Sequence, residues 1–108
     1  MAYDSGLVER VADAVAQVGH GTPVRQKNVF GGRGFLAGRS TFVIVSGTRL
    51  LVKVPHAEYA AALAERGVNP FAPGGDAPMT TWVVVDEDVI ADDPELTAWV
   101  ERGLRALR

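Results

Sequence analysis

At 108 residues, with 47% hydrophobic and 22% charged side chains and a net charge of -2, the chain has the size and composition of one globular domain, residues 1–108, and not of a disordered or fibrous protein. It contains no cysteine, which excludes disulfides, iron–sulfur clusters, thiolate zinc sites and cysteine nucleophiles. No apolar run approaches the roughly 18 residues of a membrane span, and Asp4, Glu9 and Asp13 break up the place where a signal peptide would carry its apolar core, so a cytoplasmic protein with no membrane contact is expected.

The first element is a helix. Asp4 or Ser5 can accept from the free amides of a first turn, and Leu7, Val11, Ala14, Val15 and Val18 follow at helical spacing, which predicts a helix over Ser5 to Val18 with one apolar stripe. Gly19, Gly21 and Pro23 end it. From Val24 to Val29 the residues alternate, with Arg25 and Lys27 on one side and Val24, Gln26 and Asn28 on the other, as in a strand. Three more strands are expected at Arg33 to Ala37, Thr41 to Val45 and Arg49 to Val54, joined by glycine-containing turns of hairpin size at residues 38–40 and 46–48. In the last of these Leu50, Val52 and Val54 share a face and Arg49, Leu51 and Lys53 the other, which predicts one buried face and one partly wet.

Pro55 opens a second helix that runs to Gly67, through Tyr59, Leu63 and a run of alanines. Residues 68–78, with three prolines and two adjacent glycines, read as a loop anchored in the core by Phe71. Met79 to Asp86 is rich in β-branched residues and reads as a buried strand. Asp93 is placed to cap a third helix with Pro94 in its first turn; Leu96, Trp99, Val100, Leu104 and Leu107 line one side, and Arg102, Arg105 and Arg108 complement the dipole at its end.

Several segments invite a chemical reading. Gly32, Gly34 and Ala37 satisfy GxGxxA, but a dinucleotide turn needs a helix to begin inside the motif and an acid about 20 residues later, whereas here strands follow and that region ends in Lys53. Hairpin punctuation explains these glycines. The acids Asp86, Glu87, Asp88, Asp92, Asp93 and Glu95 do not have calcium-loop spacing, since Ile90 falls where a ligand is required; a solvated turn and a helix cap account for them. His20 and His56 stand near no acid or serine in sequence. No catalytic residue, cofactor site or metal site is assigned.

Charge is distributed unevenly. Between Ala14 and Ala57 there is no acid, while Arg25, Lys27, Arg33, Arg39, Arg49 and Lys53 give that stretch a charge of +6 and leave five bases against all 13 acids elsewhere. Such separation marks an anion-binding surface or two parts of a fold that attract each other. Arg25 and Lys27 point one way from one strand and Arg49 and Lys53 from another, with Phe30 or Phe35 as a stacking surface, so these four bases are the candidate nucleic-acid or anion site. The same bases can also guard a strand edge against pairing, which leaves monomer and homodimer both open.

The phrases VFGGRGFLAGRSTF, LLVKVP, EYAAAL, NPF, PMTTWVVV and DDPELTAWVERGLRAL, in this order after an amphipathic helix, resemble the TfoX N-terminal domain family of bacterial competence-regulator-like proteins. The most specific pieces are Phe30, Gly31 and Gly32 with Phe35 and Leu36, then Pro70 with Phe71, Pro78 and Met79 before Trp82, and Leu96, Trp99 and Val100. The resemblance implies a two-layer α+β domain of the secretion-chaperone-like type, an antiparallel sheet packed with helices, which agrees with the order α-β-β-β-β-α-β-α read from the residues. Longer members of the family promote competence gene expression and carry a second, C-terminal domain. The resemblance, the lack of an active-site constellation and apolar loop residues such as Phe71 together predict a stand-alone, non-enzymatic domain with a protein partner, in transcriptional or competence-type regulation. Nucleic-acid or anion binding through the basic sheet face is the alternative.

Overall fold

Helix α1 (Ser5–Val18) begins where Asp4 accepts hydrogen bonds from the Gly6 and Leu7 amides at 2.8 and 3.2 Å, and it buries Leu7, Val11 and Ala14. Four strands follow as a meander: β1 (Val24–Val29), β2 (Gly32–Ala37), β3 (Ser40–Ser46) and β4 (Arg49–Lys53). Each connection is a two-residue turn with glycine where the backbone needs positive φ: Phe30–Gly31 (+50° and +75°), Gly38–Arg39 (+63° at Gly38) and Gly47–Thr48 (+59° at Gly47). After helix α2 (Tyr59–Leu63) come β5 (Val68–Pro70), β6 (Trp82–Val85) and helix α3 (Asp93–Arg105). The sheet order is β1-β2-β3-β4-β6-β5, and all neighbours are antiparallel. This computed structural model describes residues 3–75 and 77–107; Asp76 of the central loop and Arg108, assigned above to the end of the third helix, lie outside the described residues.

The main core lies between one face of the sheet and the three helices. Phe35, Val43, Val45, Leu50, Val52, Val83 and Val85 supply the sheet side, and Leu7, Val11, Ala62, Leu96, Trp99 and Val100 the helix side. A bulge between Phe35 and Leu36 shifts the β2–β3 register, so that Phe42 and Val43, adjacent in sequence, both enter this core. Helix α3 approaches β3 at Gly103, where an added Cβ would lie 2.8 Å from the Phe42 carbonyl oxygen and 3.1 Å from Val43 Cγ2. Gly103→Ala therefore reverses the usual benefit of replacing a helical glycine. A gain of about 0.5–1 kcal/mol in backbone entropy is outweighed by overpacking of about 1–3 kcal/mol, and urea unfolding should show a net loss.

The helices are tied to one another by ion pairs of their own. Arg10 of α1 donates to Asp93 Oδ1 (3.0 Å) and to the Ile90 and Ala91 carbonyls. Arg102 lies 4.1 Å over the Trp99 ring and reaches Glu65 at 2.9 Å, while Arg105 reaches Glu58 at 3.1 Å, so α3 holds the turn-and-helix segment 56–65 against itself. Asp92, in extended conformation, is the N-cap of α3, one residue before the expected Asp93, whose carboxylate is used by Arg10 instead.

Other departures have local causes. The second helix is a single 3-10 turn (His56–Glu58) plus five α residues, because the amides of Ala64, Glu65 and Val68 bond three residues back and tighten the chain before Gly67, at φ +75°. Residues 68–70, expected as loop, pair with β6 as a short edge strand. The strand expected from Met79 begins at Trp82, whose amide closes a turn onto the Met79 carbonyl at 3.0 Å.

The second face of the sheet is also buried at its centre. Cross-strand partners share a face, and the registers link Lys27, Gly34, Ile44, Leu51 and Val84 in one row across five strands, on the side away from the helices. In this region Leu36, Ile44 and Leu51 are only 4%, 1% and 5% exposed and stand apart from the main core. The expected partly wet face is wet at Arg49, half-buried at Lys53 and dry at its centre. The sheet is coiled: Phe30 ends β1 at one corner and Phe71 follows β5 at the diagonally opposite corner, yet their rings meet edge to face at 5.9 Å. Five strand spacings of a flat sheet would hold these corners about 24 Å apart. Gly34 allows the bend, since a Cβ there would come within 2.8 Å of Val29 Cγ2. Phe71, expected to anchor the loop in the main core, is half-buried at this closure.

Candidate interaction surface

Arg25, Lys27, Arg49 and Lys53 all belong to the face away from the helices, because Arg25 pairs with Leu36, Lys27 with Gly34, Arg49 with Ser46 and Lys53 with Trp82. Arg25, Lys27 and Arg49 are exposed and Lys53 is half-buried. They do not form one patch. The β1 pair and the β4 pair stand on strands separated in the sheet by β2 and β3, with Leu36 and Ile44 buried between them. Arg49 also lines a shallow hollow with Asp86, Glu87 and Asp88, so acids dominate its surroundings.

Among the described residues no ion pair joins the basic stretch 14–57 to the acidic flanks; the five pairs use Arg10, Arg66, Arg102 and Arg105. Of the six bases in this stretch, Arg49 is the one that shares a hollow with acids of the flank. Arg33 is bound instead to neutral partners, donating to Gln26 Oε1 and Asn28 Oδ1 at 3.0 Å each. It braces the helix-side surface of β1 and leaves Arg25 and Lys27 as the charges at that edge.

Of the two candidate stacking rings, Phe35 is withdrawn into the main core at 1% exposure. Phe30 is the opposite case, 68% exposed at the tip of the β1–β2 hairpin. Its φ of +50° and the +75° of Gly31 define a type I′ turn, whose first position favours asparagine, aspartate or glycine. A bulky residue held left-handed costs about 1–2 kcal/mol. The ring recovers only part of this against Phe71, and Met79, the other large exposed apolar side chain among the described residues, is joined to Phe71 by a 2.9 Å backbone bond. Sequence reasoning singled out Phe30 and Phe71 separately but not the meeting of their rings; the available signal was an aromatic in a two-residue turn between strands.

The remaining candidates separate in space. The GxGxxA residues form strand β2, with no helix beginning in the motif. His20 and His56 are both exposed, and neither has a side-chain hydrogen bond or ion pair among the described residues. The acids are distributed: Asp93 serves Arg10, and Asp88 accepts from Arg66 at 2.7 Å. That hydrogen bond holds the Asp88 carboxyl below its ordinary range. The pair is fully exposed, so its contribution is small; by sign it is present above the ordinary carboxylate pKa and lost as pH falls through the lowered value. Among the described residues no three histidine or acidic side chains come together as a metal-binding group, and no helix is long and apolar enough to cross a membrane.

Comparison with curated proteins and with solved structures finds no match. Comparison with protein families matches residues 16–107 to the TfoX N-terminal domain, a span from the last turn of α1 to the end of α3 that contains every strand, the Phe30 turn and the Phe71 closure. The α+β architecture and this match over nearly the whole chain agree, and the chain belongs to the TfoX N-terminal domain family.

Proposed function

We propose that the chain is a non-enzymatic domain that acts by docking onto another protein, in transcriptional regulation of the competence type. Phe30 carries this reading: a large ring kept in solvent at a strained turn, against Phe71, has a cost in the isolated domain that a bound partner would offset. Membership of the TfoX N-terminal domain family supports the regulatory setting. The two exposed histidines have no acid partners among the described residues and so supply no acid–base pair to set against this reading.

The test is to immobilise the full chain, recover proteins from a lysate, purify each candidate and measure rebinding by calorimetry. A stoichiometric complex that Phe30→Asn weakens is the expected result. Failure of every purified candidate to rebind, together with substrate turnover in an activity screen, removes the reading. Phe30→Asn should itself fold well: Asn-Gly suits a type I′ turn and relieves about 1–2 kcal/mol, against an aromatic contact worth about 0.5–1.5 kcal/mol. Its melting temperature should be no lower than that of the parent.

Binding of nucleic acid or another polyanion is the second reading, favoured by the register that turns Arg25, Lys27, Arg49 and Lys53 to one side of the sheet. Replacing Lys27 and Lys53 by glutamate should then weaken binding and lower the salt slope by about 0.7–0.9 for each lost phosphate contact. No binding to single- or double-stranded oligonucleotides at low salt removes it.

A further inference from the structure

The outer side of β1 is an unpaired sheet edge. Which of its groups are free follows from the turn. In a two-residue type I′ hairpin the closing pair, here Val29 and Gly32, exchanges both backbone hydrogen bonds, and bonded and non-bonded pairs then alternate. Lys27 and Arg25 thus turn their amides and carbonyls toward β2, and Val24, Gln26 and Asn28 turn theirs outward. Three donors and three acceptors stand in a row, in register to receive another strand.

The side chains define the strand that fits. On the face away from the helices the edge carries Arg25 and Lys27, both exposed, and then Val29; on the helix side Gln26 and Asn28 are neutral and already held by Arg33. A second copy of this chain fits badly. Antiparallel self-pairing across a twofold axis normal to the sheet keeps each face with its like, so the register that uses all three outward residues, with Gln26 on the axis, sets Arg25 opposite Lys27, and a shift by one residue sets Lys27 or Arg25 opposite itself; like charges directly opposite are destabilising. A strand with carboxylates two residues apart meets both bases on one face, and its backbone takes up the free groups of Val24, Gln26 and Asn28. At the end of β1 the exposed Phe30 ring, packed against Phe71, then offers an apolar seat for the next side chain.

We propose that the β1 edge is a docking site for an extended acidic segment of a partner protein, which adds a seventh strand to the sheet, places alternate carboxylates beside Arg25 and Lys27, and rests an apolar side chain on Phe30. The inference rests on the protein-contact reading above and specifies its surface. A polyanionic nucleic acid is the less suitable occupant, because Arg49 of the second basic pair lines one hollow with Asp86, Glu87 and Asp88, whose charges repel a phosphate backbone.

The test uses the full chain, isotopically labelled, and a capped seven-residue peptide that alternates glutamate with threonine and carries leucine at each end. At saturation, amide exchange at Val24, Gln26 and Asn28 should slow by at least about tenfold, with the Arg25 and Lys27 amides unchanged. Reversing both bases (Arg25→Glu with Lys27→Glu) should weaken binding by about tenfold or more and transfer the preference to the same peptide with lysine for glutamate. Phe30→Asn, which keeps the turn, should weaken binding without altering the protection pattern. Equal binding of the two peptides to the parent, or no slowing at those three amides at millimolar peptide, overturns the proposal. So does a recovered natural partner that protects α1 and α3 instead, a result that leaves the protein-contact reading standing. Slowing of the same amides by a single-stranded oligonucleotide and not by the acidic peptide overturns both.

Discussion

Phe42→Ala is expected to destabilise the domain by about 3–5 kcal/mol, the range for removing a buried aromatic ring, and to lower its melting temperature by about 15 °C or more. The ring is fully buried and lies where β3 meets α3, its Cδ2 atom 3.2 Å from the point a Cβ on Gly103 would occupy. Helix and strand are already as close as a glycine permits, so α3 cannot settle into the vacated space without moving Arg102 and Arg105 away from Glu58 and Glu65. The cavity should persist and the cost lie at the upper end of the range. Domains of this size have about 5–15 kcal/mol in total, so the variant should be marginal at 37 °C. Thermal unfolding monitored by circular dichroism measures the loss, and the double variant with Gly103→Ala separates the two effects. A methyl at 103 can fill part of the space left by the ring, but its 2.8 Å approach is to the Phe42 carbonyl, which no substitution at 42 removes. Partial rescue is the expected coupling; full additivity would show that ring and glycine do not share the contact.

The sequence was most legible where a local rule coincides with the tertiary outcome. Helix α1 has the bounds that its cap and stripe dictate, although the left-handed backbone that ends it falls at His20 and Gly21 (φ +48° and +80°) and not at Gly19, and the bounds of β1 follow from its alternation. The meander was legible because Gly31, Gly38 and Gly47 each supply a positive φ that a two-residue turn requires. What could not be read has no local signal. A three-residue edge strand ending in Pro70 has too few residues for alternation, and it forms only because β6 offers Val83, Val84 and Val85 to pair with. The four bases were correctly placed on common sides of their strands, but the break between their two pairs depends on strand order and on what is buried between. That β1 is an open edge also depends on strand order; its alternating Arg25 and Lys27 were a usable hint, since charge is one way edges are kept from pairing with copies of themselves.

Ile44→Ala tests the closure of the second face, and it should cost about 2–5 kcal/mol. In a flat two-layer sheet this position, on the side away from the helices and in line with exposed Lys27, would be solvent-facing, and truncation there would change stability by no more than about 0.5 kcal/mol. In the coiled sheet Ile44 is 1% exposed and its Cγ2 lies 2.9 Å from where a Cβ on Gly32 would stand. The same face should resist enlargement: Gly34→Ala drives a methyl to 2.8 Å from Val29 Cγ2 and should cost about 1–3 kcal/mol. A loss in both directions, measured by urea unfolding with unchanged m, is the signature of a packed layer and not of a wet surface. A near-neutral Ile44→Ala would instead mean that the Phe30–Phe71 closure opens in solution, exposing a broad face with all four bases at its rim and strengthening the polyanion reading. With the face closed, Leu36 and Ile44 stay buried between the β1 and β4 bases, and the proposed docking surface is confined to the edge of β1 and the aromatic turn at its end.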